Sequence, residues 1–356
     1  MTPSQPVRPL RAPGAQPAAH AGASTPVGGD APATPRVLSS LSAEGSAGTV
    51  EVRVRDALTA RTAFALTRAV RDHLTAGARA LLLNLEAVKA TDAVGLSALL
   101  QSTQLAALLG VPASIAASAV LHRALLDAGL LDELPLRSEA GPEGPVPLPE
   151  TDWLAAAMPF LASTGRLLLR QPTWDELPHF ARWANEPLLD QMVGSEFLYR
   201  CRHLGPYHPE FVASVLGDAT ALTLLVQPRG ASVPPVGFVR LYNIRLLEQL
   251  AFLETAVADL HALRKGWGIE ASRLLIACGM DLLGLRRVEA KVYAYNLLSI
   301  NSLRRNGFRQ EGVLRRAKTY EGQHWDILVF AILREEMEEQ RRREQFPYLG
   351  FWGERP

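Results

Sequence analysis

The sequence has only two cysteines, Cys201 and Cys278, which lie too far apart to form the closely spaced pairs of metal sites. It has no apolar run long enough to cross a bilayer, and its first residues lack the continuous apolar stretch of a signal peptide. Neither charge dominates, because 37 basic residues stand against 36 acidic ones. We therefore expect a soluble cytoplasmic protein with free thiols, and we expect no metal ion, no membrane and no nucleic acid as partner.

Hydrophobic residues make up 48% of the 356 positions, which is enough for buried cores, and this length suggests two domains. Residues 1–36 are rich in Pro, Ala, Gly and Ser and cannot bury enough apolar surface to offset the entropy of ordering, so we expect disorder. Residues 37–136 alternate strand-like and helix-like segments, which is typical of an α/β layer domain. Residues 137–163 begin with proline, glycine and acidic residues, and we expect a linker.

The second predicted domain covers residues 164–338, and a charged tail with an aromatic cluster follows at 339–356. Within this domain, strand-like segments precede "LRKGWGIEASRLL" (263–275), in which two glycines lead directly into a helix-forming run. Glycine lets a backbone come close to a ligand, and the first N–H groups of a helix have no partner within the helix. Because the helix dipole is also positive at this end, the pattern predicts a phosphate-binding site.

Four segments of the second half, in their order along the chain, resemble the GNAT acetyltransferase family, and most of all its branch that acetylates N-terminal amines, such as those of ribosomal proteins. They are "RKGWGIEA" (264–271), "NLLSINSLRRNGF" (296–308), "EGVLR" (311–315) and "GQHWD" (322–326). The resemblance implies a mixed α/β domain with a splayed central sheet. It also implies acetyl-CoA as co-substrate, with its diphosphate on the glycine turn, and an amine of a protein, peptide or small molecule as acceptor.

The resemblance also implies which residues bind acetyl-CoA. They are Arg264, Lys265, Gly266, Trp267, Gly268, Ile269 and Asn296. Backbone amides at the glycine turn would hold the diphosphate, and Arg264 or Lys265 would add positive charge. One departure is Leu263, where the family pattern has Arg or Gln. Asn296 is expected to bridge the splayed strands and the pantetheine arm, or to cap the helix that follows, and the two roles are compatible.

Two catalytic residues follow from the same resemblance, Glu254 as the base and Ser299 as the acid that protonates the leaving thiolate. Only a neutral amine attacks a thioester, and an α-amine is partly protonated at neutral pH. Glu254 interrupts the apolar strand "AFLETAVA", where glutamate is disfavoured, although the alternation also allows it to face solvent. Ser299 is either this acid or a helix-start hydroxyl without a catalytic role. The acidic position that the branch holds after "EGVLR" is Lys318 here, with Glu321 and His324 as nearby substitutes.

The acceptor site is the least defined part of the prediction. In the family the acceptor enters over the first helices and the last hairpin of the domain. The segment "MVGSEFLYRCRHLGPYHPEF" (192–211) covers the first of these regions and contains His203, Tyr207 and His208. These three side chains either shape a peptide slot or belong to a surface loop, and the loop is the favoured interpretation. The sequence does not indicate the size of the acyl pocket, so a donor with an acyl chain longer than acetyl is a further alternative.

The segment "LLLNLEAVKATDAVGLSALL" (81–100) resembles the STAS domain of anti-sigma-factor antagonists, and the resemblance covers about residues 37–136. Its signature is Asp92, two small residues and Gly95, followed by a helix. Family members are switched by phosphorylation of a serine directly after this Asp, but Ala93 stands here and cannot take a phosphate. The domain therefore either binds a signalling partner without this switch or serves packing, dimerisation or scaffolding.

The expected fold is α/β, with an N-terminal STAS-like α/β layer domain and a C-terminal GNAT mixed α/β domain with a splayed central sheet. The leading hypothesis is an acetyl-CoA-dependent N-acetyltransferase that transfers the acetyl group directly in a ternary complex. The alternative is a regulatory binding protein, in which the STAS-like domain contacts a signalling partner and the GNAT-like domain senses acyl-CoA without turnover.

Overall fold

The computed structural model describes residues 41–46, 48–137, 162–230, 233–258, 262–263 and 265–344. All of them belong to one compact unit, Val37–Pro356. The predicted disorder of residues 1–36, most of the predicted linker and the aromatic cluster of the tail lie outside the described residues. Among the helices described, none is both long and apolar enough to cross a membrane.

The N-terminal half, residues 41–137, alternates strands and helices as the sequence predicts. Its elements are β1 (Leu41–Ser46), β2 (Thr49–Val54), β3 (Asp56–Leu58), α1 (Ala60–Thr75), β4 (Ala80–Leu85), β5 (Val88–Thr91), α2 (Ala93–Leu108), β6 (Ala113–Ala117) and α3 (Ala119–Asp127). Four strands form a sheet in the order β1-β2-β4-β6, in which only the β1–β2 pair is antiparallel. Strands β3 and β5 form a separate parallel pair that leads into α2. Helix α1 ends just before Gly77, whose left-handed φ of +92° favours glycine.

The C-terminal half, residues 162–344, is a second mixed α/β layer. Its elements are β7 (Ala162–Ser163), β8 (Leu167–Arg170), α4 (Leu177–Ala184), α5 (Pro187–Met192), α6 (Glu196–His203), α7 (Pro209–Val212), β9 (Leu222–Pro228), β10 (Gly237–Arg245), β11 (Leu250–Val257), α8 (Trp267–Leu282), β12 (Arg287–Tyr293), α9 (Leu297–Arg305), β13 (Arg309–Tyr320), β14 (Gln323–Leu333) and α10 (Arg334–Glu344). The eight strands form one sheet in the order β13-β14-β12-β11-β10-β9-β8-β7. Helix α10 runs without a break through the predicted start of the tail.

The central sheet is splayed between β11 and β12, which are its only parallel neighbours among the described strands. They pair over three positions, from Leu250 opposite Arg287 to Phe252 opposite Glu289. Beyond these positions β11 continues to Val257 and β12 to Tyr293, but the ladder between them has ended. We call the resulting gap the notch. It leaves backbone N–H and C=O groups at the inner edges of both strands without partners in the ladder, and such groups are available to a ligand.

Helices cover both faces of the sheet beside the notch. On one face α8 packs on β11, where the hydroxyls of Thr255 and Ser272 lie 2.7 Å apart. On the other face α4 to α7 pack over a second apolar cluster, whose buried aromatic members are Phe180, Trp183, Phe197, Phe211 and Phe238. Strand β11 is therefore covered on both sides, and its residues are buried or half-buried whichever way they point.

The two halves share one buried core, to which both contribute apolar side chains. Helix α2 is central to this core because it is buried on most of its circumference rather than along one stripe. The Ser97 hydroxyl and the Gln101 side-chain amide of α2 lie 3.4 and 3.3 Å from the carbonyl oxygen of Leu282, at the end of α8. The N-terminal half thus packs directly on the helix that begins at the predicted phosphate site.

Candidate active site

The predicted anion site lies at the start of α8. The helix begins at Trp267, and Gly266 before it has a left-handed φ of +83°, which favours glycine. Among the described residues, no side chain caps this helix start, so its first N–H groups point outward for a ligand. A Cβ atom on Gly268 would lie 3.3 Å from a Val257 methyl, so this glycine lets α8 begin close against β11 beside the notch. Lys265 is exposed at the turn, and Arg264 lies outside the described residues.

Arg166 holds this helix start from the turn between β7 and β8, and no pattern in the sequence singles it out. Its guanidinium donates a hydrogen bond to the carbonyl oxygen of Lys265 at 2.9 Å and lies 4.5 Å from the centre of the Trp267 ring. It also forms an ion pair with the Glu270 carboxylate at 3.1 Å, while the Thr164 hydroxyl donates to the other oxygen of that carboxylate. The turn and the first helical residues are therefore fixed by a side chain about a hundred residues earlier in the chain.

Glu254 points away from α8, toward α6. Its side chain is buried, with 9% of the residue exposed, so the alternative of a solvent-facing glutamate is excluded. Oε1 accepts a hydrogen bond from the Ser195 hydroxyl at 2.7 Å, and Oε2 lies 3.8 Å from a guanidinium nitrogen of Arg240. Burial raises the pKa of Glu254, although Arg240 and the Ser195 hydrogen bond both act in the opposite direction.

Arg240 is the charged neighbour of Glu254 and was not predicted. It lies opposite Glu254 in the β10–β11 register, and its guanidinium stacks 4.0 Å from the centre of the Phe197 ring. Its Nε has no hydrogen-bond partner among the described residues. The sequence could have indicated Arg240, because it is a charged residue inside the apolar strand "GFVRLYNI". The same kind of pattern singled out Glu254.

Asn296 caps α9, as one of its two expected roles requires. Its side-chain oxygen accepts a hydrogen bond from the Ser299 N–H at 3.0 Å, and its amide nitrogen donates to the carbonyl oxygen of Met192 at 2.9 Å. Ser299 is half-buried in the first turn of α9. The capping role of Asn296 is confirmed, while its contact with the cofactor and the acid role of Ser299 stay predictions.

The segment from the end of α5 to the start of α6, residues 191–195, bridges the notch on the face opposite α8. We call it the bridging segment. On the β12 side, the Tyr295 hydroxyl donates to the carbonyl of Gln191 at 2.8 Å and the Tyr293 hydroxyl donates to that of Gly194 at 3.3 Å. On the β11 side, Ser195 donates to Glu254 and also caps α6 by accepting from the Leu198 N–H. The segment therefore spans one face of the notch, and its Ser195 side chain contacts the candidate base.

The residues expected near the acceptor are engaged in local structure. His203 stacks on Tyr199, Tyr207 stacks on Trp174, and His208 caps α7, which agrees with the surface-loop interpretation. In the last hairpin, Glu321 accepts from the Tyr320 hydroxyl and His324 lies next to Thr319, both on the exposed surface. The Lys318 ammonium lies 4.6 Å from the centre of the Tyr293 ring, so this hairpin places a cation beside the bridging segment.

Both cysteines are buried free thiols, as expected from the sequence. Burial raises the pKa of Cys201 to about 12 and also raises the pKa of Cys278. A buried thiol with a raised pKa is a weak nucleophile near neutral pH, so no catalytic role is assigned to either cysteine.

Comparison with known proteins agrees with the geometry of the C-terminal half. Residues 166–309 match the family model described as acetyltransferase (GNAT) domain. Over 72 residues the chain is 39% identical to the uncharacterized N-acetyltransferase p20 of Bacillus licheniformis, a match that spans 20% of this chain and 40% of that protein. The chain thus spans less than half the length of this curated relative.

Two solved structures complete the comparison. Spermidine N-acetyltransferase from Vibrio cholerae in complex with CoA and spermine is 18% identical, with a TM-score of 0.42 over 49% of this chain and 99% of that one. A putative acetyltransferase from T. thermophilus is 21% identical, with a TM-score of 0.41 over 53% of this chain and 97% of that one. The family match thus covers residues 166–309, and the helix start beside the notch lies within that range.

Proposed function

We propose that the chain is an acetyl-CoA-dependent N-acetyltransferase that transfers the acetyl group directly to an amine. One observation carries the proposal within the GNAT domain. Strand β11 bears the uncapped start of α8 on one face and the buried carboxylate of Glu254 on the other, at the edge where the sheet opens. The proposed binding site of the acetyl donor and the proposed base for the acceptor therefore lie on opposite faces of the same strand.

The donor is held mainly by backbone. The diphosphate of acetyl-CoA accepts hydrogen bonds from the first N–H groups of α8, where the helix dipole favours negative charge. The left-handed Gly266 gives the turn its shape, and Gly268 brings the helix start against β11. The pantetheine arm then follows the notch, so that the thioester lies where the strands have separated. Backbone N–H groups of β11 that have lost their ladder partners polarise the thioester carbonyl there.

Glu254 is the proposed base of the reaction. The acceptor amine loses a proton to the Glu254 carboxylate, directly or through a water, and its nitrogen attacks the carbonyl carbon of the thioester. The new C–N bond forms, the C–S bond breaks, and the thiolate of CoA leaves with the electron pair. Ser299 is the proposed donor of a proton to that sulfur, and it regains a proton from the nitrogen, which loses its second proton as the amide forms. A carboxylate whose pKa is raised by burial is a stronger base than an exposed one, which suits proton abstraction from an amine.

The acceptor amine belongs to a protein N-terminus, a peptide or a small molecule. We propose that it reaches Glu254 from the side of the bridging segment, because α8 and the donor cover the opposite face of β11. The sequence resemblance favours an N-terminal amine as acceptor. The Lys318 ammonium beside Tyr293 places a positive charge at the side from which we propose that the acceptor enters. Positioning of amine and thioester in one notch supplies a large share of the rate.

The test is thiol release from acetyl-CoA, measured with a panel of peptide and small-molecule amines. We expect turnover with at least one amine and its loss in Glu254→Gln. The matched control is Glu248→Gln, the same change at an exposed position in the turn before β11. Calorimetry then separates the hypotheses, because CoA binding with no turnover over the whole panel would favour the sensor, and absence of binding would refute both.

For the N-terminal half we propose a scaffolding role rather than recognition of a signalling partner. Asp92 is 6% exposed, and its carboxylate accepts from the N–H groups of Gly95 and Ala60 and lies 3.4 Å from the Gln171 amide of the C-terminal half. A scaffold that shares its core with the acetyltransferase domain unfolds with it. We expect calorimetry of the full chain to show one cooperative transition, and two separate transitions would contradict the proposal.

A further inference from the structure

We propose that Arg166 is a positioning residue for the donor, and that it acts by neutralising Glu270 and by fixing the turn before α8. The inference rests on the proposed binding of acetyl-CoA at that helix start. Arg166 lies on the β7–β8 turn, at the far edge of the sheet from the last hairpin, and has no role in the sequence resemblance. Its three contacts with the start of α8 have two effects on the binding of an anionic donor.

The first effect is electrostatic. Glu270 lies in the first turn of α8, and its side chain is only 13% exposed, so water screens its charge weakly. A carboxylate in the first turn stabilises the helix, but it repels a diphosphate that binds the first N–H groups of that helix. Arg166 and the Thr164 hydroxyl engage one carboxylate oxygen each. With Arg166 in place, the negative charge of Glu270 is compensated, and it no longer opposes the attraction between the helix dipole and the donor.

The second effect is geometric. The hydrogen bond from Arg166 to the Lys265 carbonyl and its stacking on Trp267 hold the residues on both sides of Gly266. Glycine has the largest conformational freedom of any residue, and a turn that depends on it loses entropy when a ligand orders it. Contacts that order the turn before binding remove part of that cost. Arg166 therefore prepares the backbone N–H groups without itself touching the reacting atoms.

The experiment compares Arg166→Ala with the full-length wild-type chain. We expect the Kd and the KM for acetyl-CoA to rise roughly fivefold, since the ion pair is partly exposed and the hydrogen bond adds to it. We expect kcat to change much less. The ratio of wild-type to variant kcat/KM should be larger for acetyl-CoA than for S-acetylpantetheine, which lacks the diphosphate. Equal losses with both donors would show general damage to the fold and would overturn the proposal.

A double substitution tests the charge argument directly. In the Arg166→Ala background, Glu270→Gln should restore part of the affinity for acetyl-CoA, because the repelling charge is gone. Arg166→Lys should also retain part of it, since a lysine keeps the charge but not the planar stacking. A merely structural role predicts that the double variant is at least as weak as the single one. The matched control is Arg68→Ala, which removes another exposed arginine with a carboxylate partner, in the N-terminal half.

The outcomes separate this proposal from the proposed function. If the wild-type chain binds acetyl-CoA and Arg166→Ala binds it equally well, the positioning role is wrong and the function stands. If the wild-type chain does not bind acetyl-CoA, both are wrong. If Arg166→Ala weakens binding and Glu270→Gln does not restore any of it, the electrostatic part of the proposal is refuted.

Discussion

Removal of the Ser195 hydroxyl is the sharpest test of how Glu254 works. The hydroxyl donates to Oε1 of Glu254 at 2.7 Å, and a hydrogen bond to a charged group contributes about 1.5–3 kcal/mol. This bond stabilises the ionised carboxylate and holds down a pKa that burial has raised. Without the hydroxyl the pKa of Glu254 rises further, so less of the enzyme carries the ionised base at a given pH.

The magnitude of the loss comes from the strength of this hydrogen bond. A change of about 1.4 kcal/mol is a factor of ten in an equilibrium constant, so the lost bond lowers the ionised fraction about tenfold or more on the acidic limb of the pH profile. Only the ionised carboxylate accepts a proton. We therefore expect kcat/KM of Ser195→Ala to fall about tenfold at acidic pH, and the difference from wild type to shrink as the pH rises and both proteins become fully ionised.

The variants must separate this effect from the second role of Ser195, which is to cap α6. Replacing an N-cap serine by alanine costs about 1 kcal/mol of stability, but glycine costs only a few tenths. Ser195→Gly thus removes the donor and nearly keeps the cap, and Ser195→Thr keeps both. Steady-state kinetics over a range of pH, with thermal unfolding in parallel, should show the acidic loss in the alanine and glycine variants but not in the threonine variant. A loss that is the same at every pH would refute the reasoning.

Three further predictions concern the base, the turn and the contact between the halves. In the wild type kcat/KM should rise with pH as Glu254, whose pKa is raised by burial, becomes ionised, and the residual activity of Glu254→Gln should not show this rise in the same kinetic assay. Gly266→Ala places an L-residue at a φ of +83°, at a cost of about 1–2 kcal/mol, and should weaken the affinity for CoA in calorimetry. Gly95→Ala would place a Cβ 1.9 Å from the carbonyl oxygen of Leu58, so we expect a large loss of thermal stability, in contrast to Gly205→Ala, whose Cβ meets nothing within 4 Å.

The sequence was sufficient for most of the elements beside the site, because their signals are local. The glycine turn, the strand before it and the asparagine at the start of α9 each depend on a few neighbouring residues, and each lies where the pattern places it. The direction of Glu254 was different. Alternation tells which residues share a face but not which face is covered, and β11 has helices on both faces, so only the fold could show that this carboxylate is buried.

The residues that sequence reasoning missed act over long distances along the chain. Ser195 reaches Glu254 across 59 positions, and Arg166 reaches Lys265 across 99. Neither has a local pattern of its own, because a serine before a helix and an arginine in a turn are ordinary in those places. Their importance comes from the order of strands in the sheet, which brings β8 to the start of α8 and the bridging segment to β11. Such contacts follow from topology and not from periodicity.

The same topology bears on the N-terminal half. The turn at Asp92 resembles a phosphorylation switch, but Ala93 has no hydroxyl to phosphorylate. The Asp92 carboxylate also faces Gln171 of the C-terminal half. A partner protein that bound this turn would first have to separate the two halves and expose the apolar residues of their shared core to water. The end of α8, whose start is the proposed donor site, receives hydrogen bonds from α2 at Leu282. Helix α8 is thus contacted at its start by Arg166 and at its end by the N-terminal half, and contacts at both ends favour the preorganised N–H groups that the proposed donor site needs.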